Sequence, residues 1–197
     1  HTLAGISHNS GLSIFEKLYE KMGDQAHDYI SFYSLRGHTE IKGMPITELI
    51  YIHSKLMIID DRKVLIGSAN INDRSMLGTR DSEYAVIVKE EVKCPSIMNG
   101  KNFKCAKFAA SFRKALMAEH MGLKPDDPIL IDPLSDLFLG RIKTTAKKNT
   151  ILIRAILGCY PDDTYTTVAK LREWKKPTPP EEIKELQFKY NDKKESI

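Results

Sequence analysis

Six residues of this chain have types and spacings that could do chemistry together: His53, Lys55, Asp60, Gly67, Ser68 and Asn70. They fall in His53-Ser54-Lys55-Leu56-Met57-Ile58-Ile59-Asp60 and, six residues on, Gly67-Ser68-Ala69-Asn70. Six fixed positions arise by chance at roughly one start in 20 to the sixth power, so the pattern is far more specific than a usual short motif. An imidazole, an ammonium, a hydroxyl and a carboxamide gathered at one spot suit the cleavage of a phosphodiester. Lys55 offers a point charge to non-bridging oxygens, and Ser68 and Asn70 offer neutral donors, so charge growing at phosphorus meets groups already in place. His53 can act as nucleophile or proton donor, because imidazole titrates near neutrality. Such a site needs no metal.

Positioning falls to the elements around the motif. Leu49 to Ile59 is dense in apolar and β-branched residues, lacks Gly and Pro, and predicts a buried strand. Alternation along that strand puts His53 and Lys55 on one face, with Leu56 and Ile58 toward the opposite core. Asp60-Asp61-Arg62-Lys63 reads as a turn, so Val64 to Ser68 is expected to return antiparallel and bring Ser68 and Asn70 back beside His53 and Lys55. Gly67 would let backbone and ligand approach closely. Asp60 is either a turn residue or a group steadying the site from behind. A carboxylate should orient the imidazole, and Glu83, just before the strand Tyr84 to Val88, is the first choice, with Asp81 second. Asn72, Arg74 and Ser75 read as capping and loop-fixing groups.

The motif and its surroundings, Ile52-His53-Ser54-Lys55 and Ile66 through Glu83 (Ile-Gly-Ser-Ala-Asn-Ile-Asn-Asp-Arg-Ser-Met-Leu-Gly-Thr-Arg-Asp-Ser-Glu), resemble the second His-x-Lys-x4-Asp motif of eukaryotic, animal and fungal type phospholipase D. The likeness is strongest from about Tyr29 to Val88 and continues more loosely to about Trp174. It implies an α/β (α+β) fold, a phospholipase D/nuclease-like mixed sheet flanked by helices, forming one of two pseudo-symmetric halves. It implies a catalytic set of His53, Lys55, Asp60 and Glu83, a phosphate grip from Lys55, Ser68 and Asn70, and Asp60 as more structural than catalytic. Phosphatidylcholine would be hydrolysed to phosphatidic acid and choline, or transphosphatidylated, through a phosphohistidine on the other half. Only one motif occurs here, so an N-terminal half carrying the first one is the expected partner. The resemblance also implies a cytoplasmic protein, peripheral on intracellular or plasma membranes. It implies a phospholipid membrane rather than nucleic acid as substrate, with phosphoinositide activators and small GTPase regulators.

Composition adds bounds. At 197 residues and 42% apolar content the chain can bury one core; residues 1–174 are expected to form the catalytic half-domain and 175–197 a polar extension. A net charge of +4 suits an anionic surface without requiring one. Cys94, Cys105 and Cys159 lack metal-ligand spacing and read as reduced thiols, and no apolar run reaches 18 residues. A helix is expected over 12–28, a strand over Tyr29 to Leu35, then a loop from Arg36 past Gly43 and Pro45. Further helices are expected over 102–121, closed by Gly122, over Ser135 to Lys147 and over Asn149 to Leu157. A lone histidine on an apolar strand is ordinarily a core residue, and it is the company of Lys55, Ser68, Asn70 and Glu83 that argues otherwise. Two rivals remain at this level: a homodimeric phosphodiesterase or nuclease of the same superfamily, and an inactive fragment serving as an interaction module.

Overall fold

A computed structural model of the chain describes residues 14–157 apart from Gly43. The expectations for Cys159, the turn at Pro161 and the polar segment after Trp174 lie outside the described residues. Residues group into two compact units, one holding the described residues up to Ile50 and from Lys147 on, the other holding Tyr51–Ala146.

In the first unit α1 (Ile14–Met22) and α2 (Ala26–Tyr29) are joined by a 3-10 turn at Gly23–Gln25. The single predicted helix is thus broken at Gly23, whose φ of +59° is readily reached without a Cβ. The expected strand over Tyr29 to Leu35 is absent, and the strand lies instead where a loop was expected: β1 (Arg36–Ile41) pairs antiparallel with β2 (Met44–Leu49). A strand must have a partner for its backbone groups. Arg36–Ile41 finds one immediately across a tight turn, with Ile41 opposite Met44.

The second unit carries the motif. β3 (Lys55–Ile59), β4 (Lys63–Gly67) and β5 (Ala85–Lys89) form one antiparallel sheet in that order, with the one-turn helix α3 (Asp73–Met76) between β4 and β5. Lys55 pairs with Gly67 and Gly67 with Ala85, making one row across three strands. A hairpin of β6 (Lys93–Met98) and β7 (Lys101–Ala106) follows, then α4 (Lys107–Met121), a 3-10 turn at Pro128–Leu130 and the start of α5 (Asp136–Leu157), whose residues from Lys147 on are grouped with the first unit. The expected helix over 102–121 is therefore strand as far as Ala106 and helix from Lys107 on. Its sequence signal was Asn99-Gly100, a two-residue hairpin turn with both φ positive (53° and 69°). Gly122 ends α4 in the left-handed conformation, as its position predicts. α5 runs unbroken where two helices were expected.

Two small cores hold this unit. Val64, fully buried, meets Ala106 and Ala109, with Leu56, Ile58, Val88 and Phe112 packed around them. The alanines let the helix lie close on the sheet, and burying Val64 alone stabilises by about 1.5–3 kcal/mol. Ala118, Leu130 and Phe138 form the second core under Met117 and Met121. Leu56 and Ile58 face the core as alternation predicts. The strand, however, is not buried on both sides: Met57 is 47% exposed, and Ile87, in the same row on β5, 64%. Apolar residues on both faces suit strands covered on both sides, and within this unit helix packing reaches only one.

Candidate active site

β3 begins at Lys55, so strand alternation does not set the direction of His53. Residues 51–54 have no regular pairing, because the ladder between β3 and β4 ends at the Lys55–Gly67 pair. His53 is exposed, and its ring stacks on that of Tyr51 with centroids 6.0 Å apart and planes 24° from parallel. Lys55 is half-buried and its Nζ donates to the carbonyl oxygen of His53 at 2.6 Å. The ammonium and the histidine backbone are thereby tied together, in place of the shared strand face that was expected.

Gly67 has a steric reason to be glycine. A Cβ there would lie 2.5 Å from the Tyr84 carbonyl oxygen and 2.7 Å from the Ala85 Cβ, so any side chain would force β4 and β5 apart. Beyond it the pairing continues for one step, with Ser68 N–H donating to the Tyr84 carbonyl at 2.9 Å. Tyr84 N–H in turn donates to Ser68 Oγ at 3.0 Å. This brings Glu83 alongside.

Both oxygens of Glu83 are engaged by serine hydroxyls: Ser68 Oγ donates to Oε2 and Ser75 Oγ to Oε1, each at 2.5 Å. Such lengths are those of hydroxyls bound to a carboxylate. The Ser68 hydroxyl first, then that of Ser75, holds the Glu83 carboxyl below its ordinary value, with the Lys55 charge adding to the effect. Partial burial and the negative charge of Asp81 oppose it. Ser75 also accepts from the Asn70 backbone N–H at 3.0 Å, and its own N–H donates to Asn72 Oδ1 at 3.1 Å, capping α3. Arg74 clamps Asp81 in a two-point ion pair, Nε to Oδ2 at 2.9 Å and Nη2 to Oδ1 at 3.1 Å. Asp81, the second choice as histidine orienter, is thus occupied by arginine. Among the described residues no hydrogen bond joins Glu83 or Asp81 to the His53 ring.

The sheet therefore gathers Lys55, Ser68, Asn70 and Glu83 at one end, with His53 two residues ahead of Lys55. Asp60 is not among them. It sits in the turn after β3, exposed, with φ of +51°, and five residues at about 3.3 Å each put it about 16 Å along the strand from Lys55. The buried carboxylate of that turn is Asp61, which sequence reasoning passed over. Its oxygens accept from Arg113 Nε at 2.7 Å and Nη2 at 2.9 Å, while Arg113 Nη1 donates to the Leu130 carbonyl at 2.8 Å. The only sequence sign was an arginine set among alanines on a core-facing helix. Among the described residues no cluster of three or more His, Cys, Asp or Glu could hold a metal ion, and no helix is long and apolar enough to cross a membrane.

With that geometry fixed, comparison with known proteins is decisive. The sequence model of the phospholipase D family matches residues 35–154. The chain is 46% identical over 155 residues to phospholipase D zeta 1 of Arabidopsis thaliana, covering 77% of this chain and 14% of that protein. It is 44% identical over 165 residues to phospholipase D1 of Homo sapiens, covering 82% of this chain and 15% of the human protein. This chain belongs to the phospholipase D family. Its α/β architecture of antiparallel sheets flanked by helices agrees with that membership. The match reaches phospholipase D of Phytophthora infestans as well, at 42% identity over 152 residues and 8% of that protein's length. The chain thus spans about a seventh or less of the curated relatives quoted, and within phospholipase D it corresponds to a segment carrying one motif.

Proposed function

We propose that this chain supplies the second catalytic half of a phospholipase D that hydrolyses phosphatidylcholine to phosphatidic acid and choline and, with a primary alcohol present, forms the phosphatidyl alcohol. The observation that carries the reading is the meeting of Lys55, Ser68, Asn70 and Glu83 at the end of adjacent strands, directly after His53. Lys55 and the Asn70 carboxamide grip the non-bridging oxygens, and Ser68 is held by Glu83 at the same edge. A histidine from the N-terminal half attacks phosphorus, and His53 protonates the leaving headgroup oxygen. His53, now neutral, takes a proton from water or alcohol as that oxygen attacks the phosphohistidine, which restores both histidines. The stacking of His53 on Tyr51 leaves the ring at the surface, where a lipid headgroup can reach it.

The enzyme of which this is a part acts peripherally at a membrane, under phosphoinositides and small GTPases. The test is transphosphatidylation with phosphatidylcholine and a primary alcohol, run on the chain alone and mixed with an N-terminal half. Phosphatidyl alcohol should form only in the mixture and fall by about 100-fold or more on His53→Asn. Product from the chain alone, or nucleic-acid cleavage abolished by His53→Asn, would overturn the reading.

A further inference from the structure

The loop from Ser68 to Glu83 carries a hydroxyl that the proposed chemistry leaves unused. We propose that Ser75 is a positioning residue of the phosphate site, a relay that donates to Glu83 and accepts from the Asn70 backbone N–H, so that the carboxylate fixes where the Asn70 carboxamide is presented. As a claim about phosphate this rests on the reading above; as a claim about geometry it stands on the loop itself.

Asn70 lies beyond the last ladder pair of β4, so sheet pairing does not set its backbone. A serine hydroxyl has one proton and two lone pairs, and Ser75 uses the proton on Glu83 Oε1 and a lone pair on the Asn70 N–H. Glu83 is acceptor-only while ionised, and its other oxygen takes the Ser68 hydroxyl. One carboxylate thus orders both serines, and through them the two stretches of loop that flank Asn70. Asn72 and the first turn of α3 hold the Ser75 backbone in turn. Charged groups acting on this carboxylate are Lys55, Arg74 and Asp81. Protonating Glu83 would turn one of its oxygens into a donor, and the two serines would no longer both find an acceptor. The relay is therefore ordered only while Glu83 is charged.

The test separates the relay from the catalytic reading. In the isolated chain, the Glu83 side-chain carboxyl is titrated by NMR and the Asn70 amide followed by hydrogen exchange, for wild type, Ser75→Ala and Ser75→Thr. Ser75→Ala should raise the Glu83 titration midpoint and speed Asn70 exchange about tenfold. Ser75→Thr, which keeps the hydroxyl, should restore both. In the transphosphatidylation mixture, Ser75→Ala should lower kcat and move the acid limb of its pH profile upward, again rescued by threonine. A wild-type Asn70 amide exchanging as fast as an unprotected loop amide would overturn the relay even if Ser75→Ala failed to fold. Unchanged titration and exchange in a folded Ser75→Ala would overturn it too. An unshifted pH profile beside altered titration would overturn the positioning role. Altered titration and exchange in a chain whose wild-type mixture is inactive would leave the relay standing and sink the catalytic reading instead.

Discussion

The two ends of the β3–β4–β5 sheet are held by opposite means. At the turn end, Asp61 is 3% exposed and Arg113 7%, joined by two hydrogen bonds beside a fully buried Val64. At the other end, His53, Ser68 and Asn70 are exposed, and order comes from hydroxyls converging on one half-buried carboxylate. The sealed end fastens the sheet to α4 and to the Leu130 turn. The open end keeps its polar groups at the surface and fixes them by short local bonds. Where burial does not steady a group, hydrogen-bond geometry does.

This contrast can be broken at several points. Asp61→Ala should have the largest effect on stability, about 3–5 kcal/mol in denaturant unfolding, because Arg113 would be left buried and unpaired. A loss below about 1 kcal/mol would mean that the sealed end is not what holds the sheet. Gly67→Ala comes next, at about 1–3 kcal/mol, since its Cβ cannot fit against Tyr84 and Ala85 without parting the strands. Faster amide exchange in β5 should accompany that loss.

Acid should act on both ends of the unit's polar wiring. Burial works to raise the Asp132 carboxyl, but the N–H groups of Gly100, Asn99 and Leu134 outweigh it and hold it below its ordinary 3.8. Glu83 likewise lies below its ordinary 4.5. Both folded values are depressed, so the stability they contribute is fully present above about pH 4.5 and is lost as pH falls through the folded values. Unfolding midpoints that stay flat from pH 6 down to 3 would contradict these assignments. Smallest of all should be Asp60→Asn, within about 0.5 kcal/mol, because asparagine tolerates the left-handed conformation of that exposed turn. Loss of transphosphatidylation in that variant, assayed with an N-terminal half, would restore Asp60 to the site.

Much of this was legible in the chain itself. The antiparallel return of β4, the inward facing of Leu56 and Ile58, the end of α4 at Gly122 and the convergence of Lys55 with Ser68 follow from periodicity, turn residues and spacing. What failed, failed for want of partners. Tyr29 to Leu35 has a strand's composition but joins no strand ladder among the described residues, while Arg36–Ile41 pairs across a tight turn. Asn99-Gly100 announced a hairpin that helical spacing at Phe108 and Phe112 concealed. Ser75 was legible only as a cap, since nothing in its spacing shows that Glu83 comes back to it.

Residue order alone determined the family, the motif and the chemical types at the site, because these depend on what is present and how far apart. The tertiary structure alone decided that Asp61, not its neighbour Asp60, is the buried acid of the turn, and that Glu83 serves two serines. Both outcomes turn on which groups meet across 8 to 52 residues of sequence, and on which of them water can still reach.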